Sequence, residues 1–369
     1  MLPKFMVGMA GFEPAIFCSQ SRRVKPSCTT SREPYYSSFL AFQKQVETFF
    51  FSRIMELTME KPMNVILDSD PGHDDAVAIL LAGSSKKINL LGISVVSGNQ
   101  TIEKTTVNAL HICEYLGIDV PIAMGAERPL KKMPMICPEI HGASGLDGVT
   151  FPPLHKKVDL RQGYQLIIDL CLANQNVILV PTGPLTNIAL ALTHEPKIKD
   201  HIGKIVLMGG SMGFGNVTPA AEFNILVDPE AAEIVFASGL PLYMNGLDVT
   251  REVLVHRSII DRMDQIDNVA SHFFHDLMMT FNANQKKVFG WVDGGPLHDP
   301  VTIVSLLDPK CVTYQAMNVT IDVSGGPSYG RTNCDRYDYL HLPKNAYVAT
   351  AIDVARYWAI IEEGIKAYS

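Results

Sequence analysis

The chain is 369 residues long, 47% hydrophobic and 19% charged, with a formal net charge of −7. That length and composition can bury a sizeable core in one large α/β domain or two smaller ones, and they exclude a disordered chain. The negative balance argues against nucleic acid or an anionic membrane surface as a partner, and no apolar run approaches the roughly 20 residues of a membrane span. Residues 1–60 mix Ser, Arg, Pro and aromatic residues without a steady period. Gly11-Phe12-Glu13-Pro14 back-translates to a run resembling the complement of a transfer-RNA T-arm, and Met55, Met59 and Met63 are later candidate starts. The working protein is therefore expected to begin near Met59, with 1–60 as an extension that need not be native and 61–369 as a single domain. Seven scattered cysteines with no Cys-x-x-Cys pair read as reduced thiols, and no secretory signal is expected, so the chain is placed in the cytoplasm.

From Met63 the pattern alternates. Strands are predicted at Asn64–Asp68, Leu90–Ser97, Val120–Ala123, Val177–Val180, Ile205–Met208 and Leu242–Asn245. Helices are predicted between them, at His73–Ala82, Thr101–Leu116, Arg161–Asn174, Leu185–Thr193 and Pro229–Ser238. The continuous apolar strands suit a parallel sheet covered on both faces. After Asp248 the pattern turns helical, over Ser258–Ile266, Val269–Asn284 and His298–Leu307. Strand-like runs follow at Val312–Val323 and Tyr347–Thr350, and a helix at Ile352–Tyr368 ends the chain. The expected fold class is α/β: an open, mostly parallel sheet with helices on both faces and a C-terminal helical insertion.

The segment Asp68-Ser69-Asp70-Pro71-Gly72-His73-Asp74-Asp75 packs four carboxylates into the break between the first strand and the first helix. A helix N-terminus favours anions, but four at close quarters repel one another and raise each other's pKa. A hard divalent cation taking oxygen ligands resolves that conflict; helix-start chemistry is the plainer alternative. Asn99, Thr182, Met208 and Asp248 follow other strands, and parallel strands present their carboxyl ends to one edge, where these residues would converge with the acids. Further on, Asn216, Glu222 and Asn224 are residue types that hold sugar hydroxyls, and the alternation of Glu222 and Asn224 places both on one face of an extended segment. His298 beside Asp299 stands at a predicted helix start, and His141 lies in a Gly-rich segment read as a candidate lid.

Together these segments resemble the inosine-uridine nucleoside hydrolase family. The resemblance is carried by Asp68-Ser-Asp-Pro-Gly-His-Asp-Asp75-Ala, Gly98-Asn99-Gln-Thr, Ile140-His141-Gly, Pro181-Thr182-Gly-Pro-Leu-Thr-Asn187, Leu207-Met208-Gly-Gly, Asn216 with Ala221-Glu222-Phe-Asn224, Asp228-Pro-Glu-Ala, and His298-Asp299-Pro300. It runs from about Met63 to the C-terminus in the family's order, and looks closest to the pyrimidine-leaning bacterial members through Leu146-Asp147-Gly148 and Gly326-Pro-Ser-Tyr-Gly-Arg-Thr332. It implies the nucleoside hydrolase fold, a homodimer or homotetramer, and a calcium ion held by Asp70, Asp75, the Thr182 carbonyl and Asp299. Asp70 would also take a proton from the attacking water. Asp74, Asn99, Asn216, Glu222 and Asn224 match the family's ribose contacts, with Met208 in the same pocket, and His298 and His141 match the positions beside the departing base. In pyrimidine-preferring relatives a tyrosine lies between the long helix and the His-Asp pair. Here Gln285 is followed by Lys-Lys-Val-Phe289-Gly-Trp291, aromatic but without a phenol, which leaves purine ribosides such as inosine open.

The implied reaction is hydrolysis of ribonucleosides (uridine, cytidine or inosine) to base and ribose. A haloacid-dehalogenase-type phosphatase also places Asp-x-Asp after its first strand, but it wants Thr or Val where this chain has Gly72. A non-catalytic nucleoside-binding protein would not need Asp70. Dinucleotide binding fails for want of a Gly-x-Gly-x-x-Gly opening the first helix.

Overall fold

A computed structural model describes residues 61–368, and the expectation for 1–60 lies outside them. In chain order the elements are β1 (Met63–Ser69), α1 (His73–Ser84), β2 (Ile88–Val95), α2 (Ile102–Tyr115), β3 (Ile122–Met124), α3 (Pro138–His141), α4 (Gly163–Ala173), β4 (Val177–Pro181), α5 (Thr186–His194) and β5 (Ile202–Met208). They continue with α6 (Phe223–Val227), α7 (Pro229–Phe236), β6 (Leu242–Asn245), α8 (Leu247–Thr250), α9 (Arg257–Asp264), α10 (Val269–Phe289), α11 (Pro300–Leu307), β7 (Val312–Ile321), β8 (Thr332–Asp335), β9 (Ala346–Ile352) and α12 (Val354–Lys366).

Among the described residues nine strands form one sheet in the order β3-β2-β1-β4-β5-β6-β9-β7-β8. From β3 to β9 every neighbouring pair is parallel; β7 runs antiparallel to both β9 and β8. Alternate side chains of β1 serve opposite faces. Val65 and Leu67 join one apolar core with α1, α2, α10, α11 and α12, while Ile66 joins a second with α4, α5 and α7. Burial on both faces is why these strands read as unbroken apolar runs. The helices from α8 to α11 form the expected insertion between β6 and β7.

The strand order reverses between β1 and β4, since β2 and β3 lie on one side and β5 and β6 on the other. The crevice outside the carboxyl ends of those two strands is where an open α/β sheet binds ligands. The loop 70–72 leaves β1 there, and Thr182-Gly183 leaves β4 beside it, the Thr182 N–H donating to the Asp68 carbonyl (2.9 Å).

Three expectations are corrected locally. The strand expected at Val312–Val323 ends two residues earlier, at Ile321, and the chain then turns through 322–331 into β8, a strand the sequence pattern does not predict. Glu222 and Asn224 do not lie on an extended segment, because Glu222 is the N-cap of α6 and its carboxylate accepts the N–H groups of Asn224 and Ile225. His141 is not a loop residue but the last residue of α3, buried against the rest of the protein.

Candidate active site

A cavity of about 780 Å³ opens over the crevice. Asp74, Asn99, His141, Thr182, Met208, Asn216, Glu222, Asn224, Gln285, Phe289, His298 and Asp299 all line it, so residues far apart in sequence meet at one surface. Asp70 and Asp75 are fully buried. Asp248 does not line the cavity; its carboxylate accepts the N–H groups of Met212 and Gly213.

Each acid has distinct surroundings. Asp75 accepts from Ser69 Oγ (2.6 Å) and Thr182 Oγ1 (2.7 Å) at Oδ1, and from the Gly72 N–H (3.0 Å) and Asn99 Nδ2 (2.9 Å) at Oδ2. Asp70 accepts the Asn99 N–H at Oδ2 (2.7 Å), but its buried Oδ1 has no hydrogen-bond partner among the described residues. Asp74 Oδ1 is likewise buried without one. Asp299 occupies the N-cap of α11 yet makes no capping bond, so helix-start chemistry does not account for it. One carboxylate oxygen from each of Asp74, Asp75 and Asp299 lies within 4.8 Å of the others. Burial is the main cause that pushes the Asp74 carboxyl up to about 7, with Asp75 adding to it. Burial and Asp75 likewise hold Asp70 well above the usual carboxylate range, and burial with Asp74, Asp75 and Asp70 does the same for Asp299. Orphaned, mutually repelling buried carboxylate oxygens fit a hard divalent cation.

Asp68 has a separate task. Its Oδ1 accepts from Ser94 Oγ (2.6 Å) and Asn187 Nδ2 (2.8 Å), tying β1 to β2 and to the start of α5. It supports the loop from behind, and burial pushes its carboxyl up to about 7.

The amides are fixed by what they already bond. Asn99 Nδ2 donates to Asp75 Oδ2 and to the Asp70 carbonyl (3.1 Å), which turns Oδ1 toward Cys137 Sγ (3.4 Å). Asn224 Nδ2 donates to the Thr182 carbonyl (2.7 Å) and the Met208 carbonyl (3.2 Å). Glu222 accepts three backbone N–H groups, from Gly210, Asn224 and Ile225; burial nonetheless raises its pKa. Gln285 is buried on the wall with Oε1 unpartnered, and Phe289 is 53% exposed at the rim.

Burial keeps the two histidines neutral. His141 Nδ1 accepts the His73 N–H (3.2 Å), which puts the His141 proton on Nε2. Burial, with His73 and His298 nearby, drives its pKa well below the usual imidazole value. His298 packs Nδ1 against Thr250 Oγ1 (2.7 Å), and burial with the Arg251 charge lowers it to about 3. Its loop is strapped down by the Leu297 N–H to the Val253 carbonyl (3.0 Å) and by Tyr357 Oη to the Leu297 carbonyl (3.0 Å). Sequence reasoning did not single out His73, Cys137 or Arg251. For His73 there was a signal: it sits inside the acidic segment, at the first position of α1, and its Nε2 reaches the Asp147 carbonyl (2.9 Å).

Carboxylates, amides and imidazoles gathered at the carboxyl edge of a parallel sheet mark an α/β enzyme. Residues 65–359 match the family described as inosine-uridine preferring nucleoside hydrolase, and the chain belongs to that family. The chain is 44% identical over 311 residues to the pyrimidine-specific ribonucleoside hydrolase RihB of Escherichia coli, an alignment covering 84% of this chain and 99% of that one. Among solved structures it is similar to a purine-preferring ribonucleoside hydrolase from Gardnerella vaginalis, with 35% identity, a TM-score of 0.78, and 83% and 98% of the two chains covered. A plant nucleoside hydrolase matches at 30% identity and a TM-score of 0.77, covering 83% of this chain and 99% of that one.

Proposed function

We propose that the chain cleaves the N-glycosidic bond of ribonucleosides, among them uridine, cytidine and inosine, to free base and ribose, and that it depends on calcium to do so. The observation that carries this reading is the meeting, in one cavity, of Asp74 and Asp299 with sugar-type amides and two histidines, while the buried Asp75 brings a third carboxylate within 4.8 Å of those two acids. We assign the activity to residues 61–369, working in the cytoplasm as a homodimer or homotetramer. The five cysteines among the described residues are all free, as a reducing compartment would keep them.

Asp70, Asp75, Asp299 and the Thr182 carbonyl, an all-oxygen set, are the residues assigned to hold the ion. When bound, the ion supplies positive charge that keeps these acids ionised and polarises a water molecule. Asp70 Oδ1, free of other bonds, takes a proton from the attacking water. The water oxygen forms a bond to the anomeric carbon as the C–N bond breaks; the bonding pair leaves with the base, which takes up a proton from solvent while Asp70 releases the one it accepted. Asp74, Asn99, Asn216, Glu222 and Asn224 hold the ribose, and the acids among them favour the positive charge that develops on it. His141 and His298 offer N–H groups to the departing base, and Gln285 and Phe289 flank it. A pyrimidine-specific and a purine-preferring enzyme are both among the relatives, so the base preference is a matter for assay. Ribose release from a panel of ribonucleosides, with and without chelator, tests the reading. Turnover that stops on chelation and returns with calcium is expected, and no release from any ribonucleoside would remove it.

A further inference from the structure

We propose that Asp248 and Arg251 form a clamp that positions Asn216, the sugar contact at the cavity rim. The inference rests on the nucleoside hydrolase reading and extends it to residues beyond the sugar-binding amides. Residues 212–215 lead from the β5 end to Asn216; Met212 packs against the core, but beyond it no side chain anchors the segment, since 213 and 215 are glycines and Phe214 is 79% exposed. The backbone is held instead. Asp248 accepts the Met212 N–H at Oδ2 (2.7 Å) and the Gly213 N–H at Oδ1 (3.2 Å). Arg251 donates from Nη1 to the Phe214 carbonyl (3.2 Å) and from Nη2 to the Gly215 carbonyl (2.7 Å). A carboxylate thus takes two successive N–H groups, and a guanidinium takes the next two carbonyls. Charge-assisted bonds of this kind are stronger than neutral ones.

Asp248 and Arg251 stand three residues apart, on α8 and at its C-cap, so one helical turn presents both to the same stretch. The stretch is secured at either end. Thr332 Oγ1 donates to the Ser211 carbonyl (2.6 Å) and accepts the Ser211 N–H (2.9 Å). A Cβ on Gly215 would come within 2.2 Å of the Ala221 carbonyl oxygen, so the backbone there passes too close for any side chain. Asn216 follows, with its Oδ1 accepting the Phe223 N–H (2.9 Å), which leaves its amide nitrogen for a ligand. Arg251 is a positioning residue in this arrangement, although it also reaches the cavity wall.

A double-mutant cycle on ribose release from uridine and inosine, using Asn216→Ala, Arg251→Ala and the double variant, tests the clamp. Each single variant is expected to lower kcat/KM about tenfold, and the double variant to fall no further than Asn216→Ala alone. Asp248→Asn is expected to show a smaller loss that Asn216→Ala likewise masks. If Arg251→Ala does not fold, Arg251→Lys, which keeps the charge but not the two-pronged fork, carries the same cycle. Additive losses would mean that Arg251 acts through the substrate or through His298, whose ring its charge faces, and not through Asn216; an unimpaired Arg251 variant would mean the segment needs no clamp, and either result overturns the proposal. An unsubstituted chain that releases no ribose would instead remove the functional reading on which it rests.

Discussion

Asp70 accepts a hydrogen bond at Oδ2 from the Asn99 N–H, and its buried Oδ1 has no partner among the described residues. Burial and the Asp75 charge both oppose its ionisation, so in the metal-free chain this side chain is under electrostatic load. Asp70→Asn removes that load while keeping shape, since an amide oxygen can still accept the Asn99 N–H. The expected result is a pair of opposite changes: ribose release falls about 10²–10⁴-fold, and the melting temperature of chelated protein stays level or rises. Paired turnover and thermal-melt measurements check this, and retained turnover would remove Asp70 as the base. Asp70 and Asp74 are legible in the sequence because four carboxylates crowded into one strand–helix break are anomalous by charge alone, whereas Asp299, a single acid at a helix start, is marked out only by the family resemblance. Arg251 is not legible, because an arginine that bonds two backbone carbonyls leaves no mark in residue spacing.

At the scale of elements, three connections converge on one side chain. Asp70 leaves β1, Gly98 follows β2 and Gly183 follows β4. A Cβ built on Gly98 would lie 2.1 Å from Asp70 Oδ2, and one on Gly183 would lie 2.4 Å from Oδ1. The two glycines therefore form the walls that set where this carboxylate can stand. Gly183→Ala is expected to displace it and lower kcat/KM by about 10- to 100-fold, on the principle that ångström-scale misplacement is costly in catalysis. Gly203→Ala in β5 is the matched control, since its Cβ would meet only ordinary contacts at 3.5 Å. Equal activity in the two variants would show that Asp70 has room to spare. The strands and long helices around this point are readable from their periods. The four-residue α3 and the five-residue α6 are too short to show one, which is why His141, the last residue of α3, and Glu222, the N-cap of α6, read as loop and extended chain in the sequence. The β7–β8 hairpin was hidden because 322–331 is rich in Gly and Ser, and β8 is only four residues long.

Across the molecule, one-sided convergence of parallel strands concentrates buried charge, and that concentration has a pH signature. Burial raises Asp68 and Asp74 to about 7 and raises Asp70, Asp299 and Glu222 as well. A raised carboxylate binds more protons in the folded chain than in the unfolded one. Its contribution to stability is full below the unfolded value and is lost as pH rises through the folded one. His73, lowered to about 4, His298, lowered to about 3, and His141, also lowered, act with opposite sign: their contribution is lost as pH falls below the ordinary imidazole value of 6.5. The two effects oppose each other in mild acid. Above pH 6.5 these histidines are neutral in the folded chain and lose their remaining protons in the unfolded one, so their effect fades and the buried carboxylates come to set the slope. The melting temperature of chelated protein is therefore expected to fall between about pH 6.5 and about pH 8. Saturating calcium, by binding only the folded cluster, is expected to raise it most at the alkaline end, where the acids are ionised and free of protons. Thermal melts across this window, with chelator and with calcium, measure both slopes. A chelated chain whose melting temperature held level or rose would mean that these carboxylates lie in a more polar setting than their burial implies.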